Sequence, residues 1–403
     1  MPVPSDAPSW AQRIIPVRPI AHDAPVSPVV EGSPTPRRPA PSADLPPSLL
    51  QRTRRHLLVL ASTSRFHASW VGFALGVVGL VRGRRGSADH LKSTLSLARG
   101  STIVAGRPMN ITIEPTNACN LGCPVCETGD GTLGRSTGHM GFEQFTTIID
   151  KIGAHTNTLM FYFMGEPFLN KRAYDMIRYA KDAGIPLIET CTNGDFVDPE
   201  RLVASGLDRV SFQIGGMTQE THEVYRVRSR LDRVMRNLRE TLKVRGVRRS
   251  PLRVETGFIL MKHNEHEVAE FQHMMQELGV DQASVIDPCV RTVEQGHQFL
   301  PTDRRHWAYD EQAFARGVLR PKILPDNVCP WIHYSMAIHV NGNVVPCCRD
   351  PKGAEVMGNL LTQSLAEIWN GPRYRDLRER IARDQGSVEI CRLCSAYPVS
   401  KIS

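Results

Sequence analysis

The chain has 403 residues, 41% of them hydrophobic and 22% charged, enough for one large domain and something smaller beside it. Its formal net charge of +8 sits in one segment: residues 51–100 carry nine Lys or Arg against the single Asp89, while the residues before and after balance, which excludes a globally basic nucleic-acid-binding surface. The opening MPVPSDAPSW has no basic stretch leading into an apolar core, so no secretory signal is expected, and the ten clustered cysteines of a reduced, cytoplasmic chain point to metal rather than to disulfides.

Residues 1–50 hold about a dozen of the 29 prolines with almost no apolar periodicity, a composition that cannot offset chain entropy and predicts a disordered tail. Residues 51–100 follow. The apolar run Ala68 to Val81 falls short of the roughly 20 residues a spanning helix needs. Arg52, Arg54 and Arg55 precede it, Arg82, Arg84 and Arg85 follow it, and Trp70 and Phe73 sit inside. Those ingredients predict an interfacial helix or shallow hairpin on an anionic membrane face, the alternative being a helix packed on the catalytic body with solvated arginines.

From about residue 108, short strand-like runs alternate with helix-like ones. The strand runs are 109–115, 158–167, 185–194, 208–216, 252–261 and 282–290, and the segments between them carry apolar residues at three-to-four spacing. Six such units predict an α/β fold, a partial (β/α)6 TIM-like barrel with parallel pairing and right-handed crossovers. Reactive groups of such folds gather beyond the strand C-terminal ends. Those ends here carry Cys119 to Cys126, MGEP, CTNG, IGG, MKHN and DPC.

Cys119, Cys123 and Cys126 in EPTNACNLGCPVCETG supply three thiolates from one loop, whereas a zinc site or a complete 4Fe–4S cluster wants four. Either a fourth ligand lies far away or one iron is left open. The spacing resembles the signature of the radical S-adenosylmethionine (SAM) enzymes, with Val125 where the family usually has an aromatic. Gly165-Glu166-Pro167 looks like the family's GGEP element, with Met164 for its first glycine; TNG at 192–194 and GGMTQETHEVYRV at 215–227 also match in order. The resemblance implies a SAM-binding 4Fe–4S cluster on Cys119, Cys123 and Cys126. It implies SAM contacts from Gly165, Glu166, Pro167, Thr192, Asn193 and Arg226, and leaves the contact from Gln213 open, since Gln213-Ile214-Gly215 replaces the usual Ser-Ile-Asp.

Near the C-terminus, Cys329 leads through an Asn341-Gly342 turn, read as a hairpin, to Cys347, and Cys391-x2-Cys394 follows a helical stretch. This resembles the SPASM/Twitch module of radical SAM enzymes, with cysteines for one auxiliary 4Fe–4S cluster: Cys329, Cys347, Cys391 and Cys394. Cys348 competes with Cys347, and a zinc ribbon is the alternative. The expected division is 1–50 tail, 51–100 basic apolar segment, 101–315 radical SAM core and 316–403 SPASM/Twitch domain.

Several residues have two readings. Cys289 and Cys191 are either reactive thiols at the barrel mouth or small buried apolar residues, Cys289 being named as a catalytic candidate together with Glu255. Glu189 and Glu255 sit in strands, where a carboxylate is costly unless paired or functional. KHNEHE (262–267) is read as a helix start with Asn264 as N-cap and Glu267 completing a capping box, rather than as a metal site. The function expected is reductive SAM cleavage to a 5′-deoxyadenosyl radical that takes a hydrogen atom from a substrate C–H bond. The substrate expected is a lipid or lipid-linked glycan precursor, with a peptide maturase, a sugar or cyclitol dehydrogenase, or a non-catalytic iron–sulfur or zinc scaffold as alternatives. Expected partners are SAM, a flavodoxin or ferredoxin electron donor and an anionic membrane surface on its cytoplasmic side, with no nucleic acid.

Overall fold

Ile111 and Ile113 alternate with Asn110 and Thr112 in β1 (Asn110–Ile113), whose four residues are all buried, as the centre of a parallel sheet requires. The computed structural model describes residues 65–84, 86–324 and 327–394; the expected tail (1–50) and Arg52, Arg54, Arg55 and Arg85 lie outside the described residues. Upstream of β1 are two helices, α1 (Arg65–Val81) and α2 (Ser87–Ala98). Downstream run α3 (Phe142–Ile152), β2 (Thr158–Met160), α4 (Ala173–Asp182), β3 (Leu187–Thr192), α5 (Pro199–Ala204), β4 (Arg209–Ile214), α6 (Gln219–Tyr225), α7 (Leu231–Val247), β5 (Arg253–Ile259), α8 (Val268–Leu278) and β6 (Gln282–Ile286). All six expected strands form, β2 being much the shortest against its expected run.

The six strands pair parallel in the order β6-β5-β4-β3-β2-β1. Their alternation separates two faces. Ile188, Val210, Phe212 and Val254 turn outward under the helices and are fully buried. Helix α3 meets that face with Phe145, Ile148, Ile149 and Ile152, spaced as one helical stripe. Glu189, Cys191, Arg209, Ser211, Gln213 and Glu255 share the opposite, inner face, which is polar.

After β6 come α9 (Val293–Phe299), α10 (Glu311–Ala315), α11 (Trp331–Tyr334), β7 (Ser335–Ile338), β8 (Asn343–Val345), β9 (Gly358–Asn359), α12 (Leu365–Trp369) and α13 (Pro372–Asp384). The hairpin expected around Asn341-Gly342 is β7–β8. What the sequence did not foretell is its attachment: β7 pairs parallel with β1, Asn110 opposite Ser335 through Ile113 opposite Ile338, so the C-terminal strands extend the barrel sheet to nine. Arg378 on α13 fastens this end. Its buried guanidinium donates to the carbonyls of Thr102 (3.0 Å), Ile332 (3.2 Å) and Trp369 (2.9 Å) and lies over the Trp369 ring at 4.5 Å.

Helices α1 and α2 form a hairpin held on α11: Thr94 and Tyr334 hydroxyls are 2.8 Å apart, and His90 sits 2.9 Å from the Gly72 carbonyl. The pair approaches closely because a Cβ on Gly76 would lie 2.5 Å from a Leu91 methyl. One face of α1 is therefore packed, as the alternative reading expected, and the other is open, with Trp70 59%, Phe73 48% and Val81 83% exposed beside Val77, Val78 and Leu80. Among the described residues no helix is long and apolar enough to cross a membrane.

One local expectation fails. Asn264 caps no helix with its side chain; it donates to the carbonyls of Gly215 (2.9 Å) and Ile259 (3.0 Å) and accepts from Met261 N–H. Glu267 likewise reaches Met217 N–H and the Thr221 hydroxyl, so the segment stitches loops together at the barrel rim.

Candidate functional site

The loop after β1 carries Cys119, Cys123 and Cys126. Leu121, Cys123 and Val125 turn into an apolar layer with Tyr225, Met261 and Phe299, so Val125 takes the shielding place despite lacking an aromatic ring. The sulfurs collect donors. Leu121 N–H points at Cys119 Sγ (3.5 Å), the N–H groups of Gly129 and Thr128 at Cys126, and the Arg226 guanidinium at Cys123. Burial pushes the Cys119 thiol up to about 12 and raises Cys126 too, so these groups need a metal to become thiolates.

Three further loops close on this one. Gly165 has φ of 78°, and a Cβ there would stand 2.6 Å from the Ala118 carbonyl and 2.7 Å from that of Thr116, so only glycine lets β2's exit lie on the cysteine loop. Glu166 N–H then donates to Ala118 O at 2.8 Å. The Glu166 carboxylate is fully buried and accepts from Thr192 Oγ1 (2.8 Å), Asn193 N–H (2.7 Å) and Phe168 N–H (3.2 Å); burial lifts it to about 7 despite those donors. Pro167 opens the short 3-10 turn that follows. Asn193 donates to Asn120 (2.8 Å), and Asn120 donates to Asp195 (2.9 Å), tying the TNG loop to the cysteine loop. Arg226, at the end of α6, keeps its Nε buried without a hydrogen-bond partner beside Cys123.

On the inner sheet face both strand carboxylates are paired. Arg209 spans Glu189 and Glu255, 3.2 Å from each, and Arg253 adds a contact to Glu255 at 3.3 Å. Glu255 is thus ion-paired near the start of β5, away from the cysteine loop. Gln213 donates to Ser211 (2.8 Å). Cys191 stays on this face, its thiol pushed up to about 12 by burial. Cys289 is not a small buried residue: it is exposed overall, with its thiol between Arg291 Nη1 (3.1 Å) and Arg349 Nη1 (3.2 Å) and near the Tyr309 hydroxyl (3.6 Å). Desolvation raises that thiol, but the two guanidinium groups outweigh it and bring it below the ordinary range.

Cys329, Cys347, Cys391 and Cys394 line one small pocket, walled by Trp331, Leu377, Ile381 and Ile390. Backbone N–H groups again face the sulfurs, from Ile332 and Trp331 toward Cys329 and from Arg349 to Cys347 (3.4 Å). Cys348 does not share this pocket; it lines a larger cavity of about 460 Å³ with Glu127, Arg291, Gln295 and Arg349, between the barrel and the C-terminal domain.

The family model described as the Radical SAM superfamily matches residues 113–275, and that described as SPASM, an iron–sulfur cluster-binding domain, matches 329–395. The chain belongs to the radical SAM superfamily. It is 24% identical over 327 residues to an AdoMet-dependent heme synthase of Methanosarcina barkeri, covering 72% of this chain and 90% of that protein. It is 25% identical over 314 residues to the mycofactocin maturase MftC of Mycobacterium ulcerans, covering 72% and 81%. The SAM-bound structure of SuiB from Streptococcus suis shares the fold with a TM-score of 0.55 at 15% identity, over 77% of this chain and 76% of that one. This radical SAM enzyme therefore uses a 4Fe–4S cluster and SAM, with auxiliary iron–sulfur chemistry in its SPASM domain.

The residues present fit those groups. Four thiols on one apolar-walled site, with backbone N–H groups facing the sulfurs, are a donor set that suits a cluster. The Arg226 guanidinium contacts Cys123 and lies over the Tyr225 ring, while its buried Nε keeps one donor open, as a cation kept for an anionic group would. Three participants escaped the sequence. His222 accepts Gly215 N–H (3.1 Å) and contacts Ser229 (3.0 Å), holding the GG turn. Tyr162 lies half-buried near Cys191 and Cys348, and Arg349 reaches Cys289. Only the position of Tyr162 after a strand was a signal.

Proposed function

We propose that Cys119, Cys123 and Cys126 hold the 4Fe–4S cluster that binds SAM, that Cys329, Cys347, Cys391 and Cys394 hold the auxiliary one, and that the substrate is a lipid or lipid-linked glycan precursor. Cluster and SAM together supply a 5′-deoxyadenosyl radical able to take a hydrogen atom from an unactivated carbon. The residues do the rest. Arg226 receives the SAM carboxylate on its open Nε. Glu166, already saturated by Thr192, Asn193 and Phe168, positions the backbone of Gly165 to Pro167 and the Thr192–Asn193 loop around the SAM amino group. Leu121, Val125, Tyr225 and Phe299 exclude water. Cys289, clamped by Arg291 and Arg349 beside the large cavity, is a candidate proton or hydrogen-atom partner for substrate; Glu255, paired with Arg209, orders the inner face.

The lipid assignment is carried by the open apolar face of α1, with exposed Arg82 and Arg84 next to it, which supports peripheral binding to the cytoplasmic face of a membrane. The core is taken as residues 101–315 and the SPASM/Twitch domain as 316–403. The electron comes from a flavodoxin- or ferredoxin-type donor. A second reading, modification of a peptide, is favoured by the likeness to MftC, named a mycofactocin maturase.

The test is an anaerobic assay of the reconstituted, reduced protein with SAM and deuterium-enriched cell extract split into lipid and aqueous fractions, weighing the 5′-deoxyadenosine formed. Label arriving only from the lipid fraction supports the reading, and label only from the aqueous fraction replaces it with the peptide or sugar reading. Cys119→Ala must form no 5′-deoxyadenosine; if wild type with filled clusters forms none either, SAM cleavage itself is abandoned.

A further inference from the structure

The even charge balance of residues 101–403 conceals a concentrated patch. Residues 228–249, essentially α7 and its flanks, carry nine Lys or Arg against Asp232 and Glu240 alone. The helix is laid down by its apolar stripe of Leu231, Val234, Met235 and Leu238, which leaves Arg236, Arg239 and Lys243, at i, i+3 and i+7, on one exposed line. Among the described residues Arg230 pairs with Asp232, Lys243 with Glu240, Arg245 with Asp281 and Arg248 with Glu200, and half-buried Arg233 acts on Asp195, while exposed Arg228, Arg236, Arg239 and Arg249 take part in no ion pair. Unneutralised charge on this scale raises the local potential and selects an acidic partner.

The start of this patch touches the expected SAM-cluster loop. Gly122 N–H donates to Val227 O (3.1 Å), and a Cβ on Gly122 would sit 3.4 Å from the Arg228 guanidinium. Arg228 itself is fixed at φ of 75°, an uncommon state for a residue other than glycine. Asn237 on α7 donates to Gly194 O (2.7 Å), so the first half of the helix is also bound to the TNG loop. From exposed Arg228 to Cys123 there is thus one backbone step through Gly122. Alongside lies an open groove of about 450 Å³ lined by Met217, Leu231, Met235 and Met274, an adaptable apolar surface whose rim carries the paired Arg230 and Asp232 and the unpaired Arg239.

We propose that the outer face of α7, from Arg228 to Lys243, is the docking surface for the electron donor, a small acidic one-electron carrier protein of the flavodoxin or ferredoxin kind. The charge draws the acidic face of the carrier in, the methionine groove seats it, and its redox centre comes to rest over Gly122. One electron passes; the carrier is oxidised, the cluster is reduced, and no bond or proton moves. The inference rests on the proposed cluster at Cys119, Cys123 and Cys126 and adds where its electron enters.

The test compares wild type, Arg236→Glu/Arg239→Glu and Arg236→Lys/Arg239→Lys, all with clusters reconstituted. Binding to a small acidic flavodoxin is measured by calorimetry at low and high salt. SAM cleavage is measured with enzymatically reduced flavodoxin and, separately, with dithionite. The expected result is flavodoxin binding about tenfold weaker or more in the Glu pair with a flatter salt dependence, and retained in the Lys pair. Flavodoxin-driven cleavage falls in parallel while dithionite-driven cleavage holds. Equal binding by wild type and the Glu pair overturns the proposal, as does a Glu pair that instead loses binding to anionic vesicles or to RNA. Wild type that binds flavodoxin but cleaves no SAM with dithionite leaves the docking surface standing and defeats the cluster reading.

Discussion

At Gly165, His222 and Glu166 the site depends on single atoms. Gly165→Ala forces a Cβ into two carbonyls from a φ that alanine resists, so the Met164–Pro167 turn must move off the cysteine loop. More than 1 kcal/mol of stability should be lost, and dithionite-driven 5′-deoxyadenosine formation should fall at least tenfold; wild-type rates in this variant would refute the contact. His222 is held neutral, pushed down to about 3 first by burial and then by Arg226. With its folded pKa below the unfolded 6.5, its contribution is whole above pH 6.5 and drains as pH falls toward 3. The difference in melting temperature between wild type and His222→Gln should therefore be largest at pH 7–8 and shrink steadily on acidification. A difference independent of pH would show that the imidazole does not titrate as placed. The cysteine triplet was legible because its spacing is local. The contacts that complete the site were not, since Arg226 to Cys123 and Arg349 to Cys289 join residues that only the fold brings together.

Among elements, the alternation of strands and helices was legible because each carries its own period, 2 or 3.6, in a few residues. The end of β2 was overextended, because the apolar run continues after Met160 while the chain already turns toward Gly165. Asn264 was misjudged for a related reason: a capping-box spacing is satisfied by sequence alone, yet Met261 N–H takes the side-chain oxygen a cap would offer the helix, while the amide NH2 goes to the Gly215 and Ile259 carbonyls. Helix α1 packs one face and leaves an apolar face exposed. Replacing Trp70, Phe73 and Val77 by Ser removes exposed apolar area without touching the Gly72–Gly76 packing face, so the melting temperature should change little. Co-sedimentation with anionic vesicles should drop severalfold; an unchanged pellet, or wild type that never pellets, would dismiss the interfacial face.

Over the whole molecule, stability is concentrated where distant segments share one partner. Arg378 alone satisfies carbonyls at 102, 332 and 369, and burial brings its guanidinium down to about 10. Arg378→Met strands those acceptors and should cost about 3 kcal/mol, read as a lower urea midpoint. A loss below about 1 kcal/mol would mean the C-terminal domain is held chiefly by its apolar contacts. Nothing in PRYRDLRERIARD distinguishes this arginine from its neighbours beyond its place on the helix stripe of Tyr374, Leu377 and Ile381.

The parallel ladder between β1 and β7 gives the molecule a hinge side and a catch side. On the hinge side, the cysteine loop and the four-cysteine cavity ride on adjoining strands of one plate, and separating them means breaking backbone hydrogen bonds from Asn110 to Ile113. On the catch side, β6 is the sheet's edge among the described residues, and Arg349 reaches from the C-terminal domain across the large cavity to Cys289. Undoing that grip breaks a few exposed polar contacts and no ladder. Of the two sides, the one spanned by Arg349 is therefore the one that can part without breaking a strand ladder.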